Sequence, residues 1–440
     1  MFKTLRNALK VEEIRKRLFF TFLMLIVVRI GSQLPIPGVD RTYFANWFAQ
    51  QGGDAFNFFN AITGGSFSEL SIFALSITPY ITSSIIVQLL TIAIPKFEEW
   101  QKDGEEGIKK MTKITRFLTI GLALIQSASM AIGFGRQGML QEYNFINVLT
   151  TIVTLVAGSA ILMWIGERIT EKGEGNGISI ILLINILSRI PSDFVSLYDQ
   201  FLKGQSIPKA LLAGVIIAVI IIAVVVFVVI LSNGERRIPV QYAKKIQGRK
   251  TVGGQSTNIP LKVNTAGVIP IIFAQSLMQI PVIICTLVGV GGGTDFGSQI
   301  LKGLSQSNWC RFTSAEFKYS WGLILYIVLV IAFAYFYTSI TFNPLEVADN
   351  MKKQGGFIPG IRPGKPTSDY LSAILSKIIF IGAVGLIIVA IIPILFNGIF
   401  GAKVSFGGTS IIIIVGVVIE TMKQIESQML VRYYKGFLND

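Results

Sequence analysis

The sequence predicts an all-α membrane protein that crosses the bilayer ten times. Three observations predict this fold class: long apolar runs, a low content of charged residues, and basic residues that concentrate in alternate loops. Of the 440 residues, 52% are hydrophobic and 15% are charged, whereas soluble domains carry about 25% charged residues. The run 211–231 contains no charged residue and is as long as the ~20 residues that cross a hydrocarbon core.

Ten such apolar stretches follow one another along the chain. Helices are expected in each, because unpaired backbone groups are costly in lipid, and the sequence does not show the ~10-residue alternating segments of a membrane barrel. The stretches run over 18–37, 71–95, 115–134, 146–166, 178–200, 209–231, 265–290, 320–340, 373–394 and 408–426.

The distribution of basic residues predicts the orientation of these spans. With the N-terminus placed in the cytoplasm, the cytoplasmic segments hold 29 Lys and Arg, and the outer loops hold 9. This bias satisfies the positive-inside rule. We therefore expect both termini on the cytoplasmic side of a plasma membrane.

The first 17 residues form a separate element ahead of the spans. Phe2, Leu5, Leu9 and Ile14 can share one helical face, with basic residues around it. This pattern predicts an amphipathic helix that lies on the inner leaflet. A solvated helix or a disordered basic tail is the alternative.

An internal repeat divides the spans into two sets of five. Spans 5 and 10 begin with similar glycine-rich sequences, at Gly175 and Gly407, and spans 2 and 7 each contain a proline, Pro79 and Pro270. A five-span unit repeated in tandem places its second copy upside down, which is the inverted-repeat architecture. The expected halves are 18–203 and 204–440, although chance similarity between apolar segments is the alternative.

The sequence carries no signal of an enzyme, a metal or a bound cofactor. It contains no histidine, which removes the commonest general base and metal ligand, and Cys285 and Cys310 form no metal or redox motif. The GxGxxG match at 133–138 follows an apolar span rather than a strand, so it does not indicate a dinucleotide site. Because a coupled carrier usually has carboxylates inside the membrane and only Glu420 is of that kind, a small-solute transporter is the less favoured alternative.

Several motifs, in order along nearly the whole chain, resemble the SecY family, whose members form the pore of the bacterial Sec protein translocase. They lie in the segments 29–38, 56–95, 173–180, 234–245, 255–270 and 343–364. The resemblance implies an hourglass pore between the two halves, through which unfolded polypeptides pass, and a lateral gate that releases hydrophobic segments into the bilayer. The outer loop around 291–318 resembles the family least.

The resemblance also implies which residues narrow the pore. The spacing agrees, because Ile81 with Ile85 and Leu182 with Ile186 are i,i+4 pairs that share a helix face. A ring of branched aliphatic side chains blocks ions by excluding water. The implied ring consists of Ile81, Ile85, Leu182, Ile186, Ile272 and Ile413.

Residues 57–71 are implied to form a plug, a short half-helix that folds back into the outer funnel. The lateral gate is implied to separate spans 2 and 3 from spans 7 and 8, and Arg189 is expected to face water in the outer funnel. The implied plug residues are Phe58, Phe59, Gly64, Gly65 and Ser66, and the candidate polar residues of the gate are Gln88, Gln126, Ser127, Gln275 and Gln279.

Two basic loops, 232–264 and 341–372, are the expected docking surfaces for partners. Arg362 lies between two Pro-Gly pairs and matches an arginine of the family's motor-binding loop. The implied partners are the SecA ATPase, the ribosome, signal-peptide-bearing polypeptides, membrane lipids, and small membrane subunits resembling SecE and SecG. The candidate docking residues are Lys244, Lys245, Arg249, Lys250, Lys352, Lys353, Arg362 and Lys365.

Overall fold

The computed structural model shows a bundle of helices with a small sheet at one end. It describes residues 2–47, 60, 62–135, 138, 140, 142–203, 207–242, 245–247, 250–252, 256–288, 296–304, 309–310, 320–400 and 408–436. The helices are α1 (Phe2–Lys10), α2 (Glu12–Gly31), α3 (Arg41–Trp47), α4 (Thr78–Ala93), α5 (Pro95–Lys102), α6 (Glu105–Gly135), α7 (Phe145–Lys172), α8 (Gly177–Leu197), α9 (Ile207–Asn233), α10 (Ile269–Val288), α11 (Phe296–Leu304), α12 (Trp321–Thr341), α13 (Pro344–Lys353), α14 (Lys365–Phe400) and α15 (Gly408–Gly436). The strands are β1 (Glu235–Tyr242), β2 (Lys245–Gln247), β3 (Lys250–Val252), β4 (Ser256–Lys262) and β5 (Gly356–Phe357).

Each predicted span coincides with a helix, and the prediction of a helical membrane fold is confirmed. The matching helices are α2, α4, α6, α7, α8, α9, α10, α12, α14 and α15. By length and composition alone, 6 of the described helices can cross a membrane, or 7 when the bent pair α4–α5 is counted as one span. Helix α4 has only 16 residues, because turns occupy residues 63–70 and 72–77, where the predicted span begins.

Local sequence sets where the helices begin and end. Asn176 caps α8, since its side chain accepts hydrogen bonds from the N–H groups of Ile178 and Ser179, which a helix start leaves unpaired. Pro95 begins α5 after Ile94 takes an extended conformation, and α5 is bent away from α4 by 108°. Proline suits a first helical turn because its missing N–H is not needed there.

The N-terminal segment differs from the single helix predicted over residues 1–17. It forms two helices, α1 and the start of α2, with Val11 in an extended conformation between them. Ala8 and Ile14 pack against Ile425 of α15, whereas Leu9 is exposed. The apolar face that was predicted to contact the membrane is therefore divided, because α15 covers part of it.

Among the described residues, two long helix pairs join the predicted halves, in addition to the contact of residues 198–202 with α9. Helix α8 of the first half contacts α15 of the second, and α6 of the first contacts α10 of the second. A large cluster of buried side chains from α9, α10, α12, α14 and α15 forms the core of the second half. A second cluster, built mainly by the first half, also includes residues of α15, and so links the halves.

The two basic loops fold together into one unit, which the sequence analysis described only as loops. Strand β1 lies between β4 and β5 and is antiparallel to both. The inward side chains Ile238, Val240 and Leu261 pack against Met351 and Leu371. We call residues 235–262 and 344–364 the sheet unit.

Candidate pore and plug

A cluster of aliphatic side chains lies where the two halves meet. Five of the six predicted ring residues belong to it, together with Ile62 from the predicted plug. Leu182, Ile186 and Ile413 are buried, with exposed fractions of 7%, 2% and 4%. These residues belong to a larger buried cluster that also includes first-half side chains such as Leu162 and Ile181. Within it, we call Ile62, Ile81, Leu182, Ile186, Ile272 and Ile413 the central aliphatic cluster.

The central aliphatic cluster draws on helices of both halves. Ile81 lies on α4, Leu182 and Ile186 lie one turn apart on α8, Ile272 lies on α10, and Ile413 lies on α15. Side chains of this type exclude water from a narrow gap and offer no hydrogen-bonding partner to a molecule that passes. Ile85, the sixth predicted ring residue, is half-buried on α4 and lies outside this cluster.

The predicted plug segment is seated directly on α8. Gly64 has φ +67, and a Cβ built on it would lie 2.9 Å from both the Cα and the carbonyl oxygen of Asn185. Only glycine combines that conformation with such a close backbone approach. Gly65 also has a positive φ, +89, and Ser66 is buried. Residues 60 and 62 are helical, residues 63–70 form turns, and Phe58 and Phe59 lie outside the described residues.

On its other side, the plug segment packs through Phe67 against two aromatic rings, those of Phe44 and Phe134. The ring of Phe67 lies 6.0 Å from that of Phe44 on α3 and 6.4 Å from that of Phe134 on α6. Phe44 and Phe134 are themselves in edge-to-face contact at 5.3 Å, a favoured arrangement of aromatic rings. Leu70 packs in the same buried cluster, so the segment is fixed on two sides.

A polar contact that the sequence analysis missed lies next to the central aliphatic cluster. The Asn185 amide donates to Ser76 Oγ at 3.2 Å, and Asn185 is 2% exposed. Ser188, on the same helix, donates to the Gly64 carbonyl at 3.4 Å. Asn185 interrupts an apolar run between Leu182 and Ile186, which was the available signal for a polar contact at this point.

Of the four spans implied to form the lateral gate, α6 of the first half and α10 of the second are in contact, and we call this contact the α6–α10 seam. Ser127 donates to the Leu124 carbonyl in α6 at 3.0 Å. Gln275 of α10 and Tyr326 of α12 are both buried, and neither Gln275 Oε1 nor the Tyr326 hydroxyl has a hydrogen-bond partner among the described residues. Gln126 Oε1 is buried without a hydrogen-bond partner in the part of the chain that the structure describes. Gln88 is half-buried, and the side chain of Gln279 lies outside that part.

The sheet unit and the start of α14 carry the described half of the predicted docking residues. Lys352, Lys353, Arg362 and Lys365 are all exposed. Arg362 lies between Gly360 with φ +83 and Gly364 with φ +102, and its carbonyl accepts a hydrogen bond from Thr367 Oγ1 at 2.8 Å. The side chains of Lys244, Lys245, Arg249 and Lys250 lie outside the described residues.

Comparison with known families and proteins finds similarity to one family along the length of the chain. The family model described as SecY matches residues 71–422. A protein of Corynebacterium glutamicum named protein translocase subunit SecY is 42% identical over 98% of this chain and 99% of its own length. Its namesake in Halalkalibacterium halodurans is 43% identical over 100% of both chains.

Solved structures show the same fold at low sequence identity. A structure described as a protein-conducting channel covers 97% of both chains with a TM-score of 0.63 and 17% identity. A SecY structure concerned with the plug domain covers 97% of both chains with a TM-score of 0.61 and 17% identity. Sec61 from a canine ribosome–channel complex covers 97% of both chains with a TM-score of 0.59 and 16% identity.

Proposed function

Because the chain belongs to the SecY family of protein translocase subunits, we propose that unfolded polypeptides cross the membrane between its two halves. The observation that carries this proposal is the central aliphatic cluster, which joins helices of both halves. A small-solute carrier would instead place polar binding groups at this contact. The aliphatic character of the cluster therefore favours a channel for chains of varied sequence.

The central aliphatic cluster acts as the closed constriction. Branched side chains from α4, α8, α10 and α15 meet there, and the plug adds Ile62. A passing chain displaces these contacts without breaking a hydrogen bond, since aliphatic groups make none. The same property makes the seal indifferent to the sequence of the polypeptide and effective against ions.

The α6–α10 seam is the proposed lateral gate for hydrophobic segments. Among its polar side chains, Ser127 bonds within α6, whereas Gln126 Oε1 and Gln275 Oε1 have no hydrogen-bond partner among the described residues. Opening the seam therefore exchanges mainly helix–helix packing for contacts with lipid. Interhelical hydrogen bonds in membranes average only about 0.6 kcal/mol, so polar side chains at the seam do not prevent opening.

The sheet unit is the proposed docking surface, and it faces the cytoplasm together with both termini. Its exposed cations suit acidic protein surfaces and the phosphates of ribosomal RNA. The SecA ATPase and the ribosome are the proposed partners, and the ribosome–channel complex among the similar structures supports the second. Small subunits resembling SecE and SecG, membrane lipids and signal-peptide-bearing polypeptides complete the set. The energy that moves the polypeptide through the channel comes from these partners, and no catalytic step is assigned to this chain.

Site-specific crosslinking of a stalled secretory chain tests the proposed path. A photoreactive residue at Ile272, in the central aliphatic cluster, should crosslink to the stalled chain. The matched control is Val219 on α9, which is 59% exposed and should face lipid. No crosslink at Ile272, with normal secretion in cells depleted of the protein, would reject the proposed function.

A further inference from the structure

An ion pair ties the plug segment to the first half of the bundle. Arg41 of α3 donates from Nη2 to Glu69 Oε2 at 2.7 Å. Its Nε also donates to the Glu69 carbonyl at 3.4 Å, and its Nη2 to the Gln33 carbonyl at 3.4 Å. One guanidinium therefore holds both the side chain and the backbone of Glu69, and is itself anchored to the turn that follows α2.

Two further arginines face the same segment from other helices. Arg29 of α2 donates to the Gly64 carbonyl at 3.5 Å and attracts Glu69 electrostatically. Arg189 of α8 attracts both Glu69 and Asp193, and its Nη1 lies 3.4 Å from the position of a Cβ on Gly65. Three cations on three helices thus surround a short plug segment that contributes one carboxylate.

The contacts between Glu69 and the arginines exist only while the plug segment is seated on α8, as it is in this structure. Gly64 reaches the backbone of Asn185 only in the seated conformation, and Ser188 then donates to its carbonyl. If the segment leaves α8, Glu69 leaves the arginines with it. Both partners of the Arg41–Glu69 pair are partly exposed, with side-chain fractions of 39% and 47%, so water can replace the contact at modest cost.

We propose that Glu69 is a positioning residue whose pairing with Arg41, in the field of Arg29 and Arg189, latches the plug in the closed channel. This latch acts beside the central aliphatic cluster, which it does not touch. The inference rests on the proposed function, because a latch has meaning only if the segment closes a pore. Since exposed ion pairs stabilise by a small amount, the latch shifts the closed population about two- to fivefold rather than locking the channel.

Single-channel recording in planar bilayers tests the latch with the full-length protein and no substrate. The fraction of time spent conducting should rank by charge at position 69: E69D close to wild type, E69Q about threefold higher, and E69K higher still. R41Q should resemble E69Q, and the double variant E69Q/R41Q should add little, because both remove the same pair. E142Q, an exposed acid outside the plug, is the matched control.

The variants change exposed residues, and unchanged thermal unfolding of each in detergent will show that it is folded. Equal conducting fractions in E69Q, E69K and wild type would overturn the latch, as would full additivity of E69Q and R41Q. A glycine at Ile413 in the same recordings separates this failure from that of the proposed function. If I413G leaks and E69K does not, the constriction stands and the latch is wrong.

Discussion

Glu174 places a carboxylate in the buried connection between α7 and α8. It is 1% exposed, and its N–H donates to Thr21 Oγ1 at 3.0 Å. Neither carboxylate oxygen has a hydrogen-bond partner among the residues that the structure describes. Burial raises the pKa of this carboxyl, and attraction to Arg17 offsets part of the rise. The ionised form is therefore less favourable in the folded than in the unfolded chain.

Replacing Glu174 by Gln should raise the melting temperature at neutral pH by about 1–3 °C. A raised folded-state pKa means that the contribution of Glu174 to stability is most favourable below its unfolded pKa of about 4.3. That stability is lost as the pH rises through the folded-state pKa. Gln does not titrate, so the gap between variant and wild type should widen with pH in thermal unfolding experiments in detergent.

The control for this prediction is Glu171→Gln on the same side of the bundle. Glu171 is more than half exposed and pairs with Arg168 at 2.8 Å, so its replacement should change the melting temperature little. A gap between Glu174→Gln and wild type that stays constant from acidic to alkaline pH would show that ionisation of Glu174 is not the cause.

At the scale of elements, the turn that carries Arg362 shows how the sheet unit presents a charge. Pro359 and Pro363 restrict the backbone, and Gly360 and Gly364 supply the positive φ values that the turn needs. Thr367, at the start of α14, donates to the Arg362 carbonyl. The side chain therefore projects from a short, braced turn rather than from a free loop.

Arg362→Glu should reduce ATPase-driven export by at least about tenfold, because reversing a charge at a docked surface replaces attraction by repulsion. Export into inverted membrane vesicles measures this loss. Lys110→Glu, a charge reversal at an exposed residue of α6 outside the sheet unit, is the matched control and should have a smaller effect. Equal losses in both variants would indicate a general charge effect and contradict a specific role of Arg362.

At the scale of the whole molecule, the two halves meet through contacts of different kinds. Helix α15 packs on α8 and contributes Ile413 to the central aliphatic cluster, and α10 packs on α6. At the contact between α8 and α15, a Cβ built on Gly175 would lie 3.1 Å from Thr421 Oγ1 of α15. The connection that precedes α8 therefore also approaches α15 closely.

Ile413→Gly should raise ion leak through the resting channel severalfold, because it removes a buried aliphatic side chain from the constriction. Glycine in a helix also destabilises by about 1 kcal/mol, so Val418→Gly on the same helix is the matched control. Val418 is 39% exposed and lies outside the central aliphatic cluster. Equal conductance of the two variants in planar bilayers would count against the seal.

The helices and their order were predictable from the sequence because lipid imposes a one-dimensional requirement. About 20 apolar residues must form a helix wherever they cross the bilayer, and Leu211–Leu231 meets this condition by itself. The motif resemblance likewise needs only residue identity and order. Five ring residues named from it lie together in the structure, although their role stays a prediction until leak and crosslinking are measured.

Contacts between distant segments were decided only by the tertiary structure. No period in the sequence shows that β1 pairs with β5 more than a hundred residues later, that α1 packs on α15, or that Glu69 meets Arg41. Ile85 shares a helix face with Ile81, yet only Ile81 joins the central aliphatic cluster. Hydrophobicity determines that a residue is buried in protein or lipid, whereas packing geometry determines which neighbour buries it.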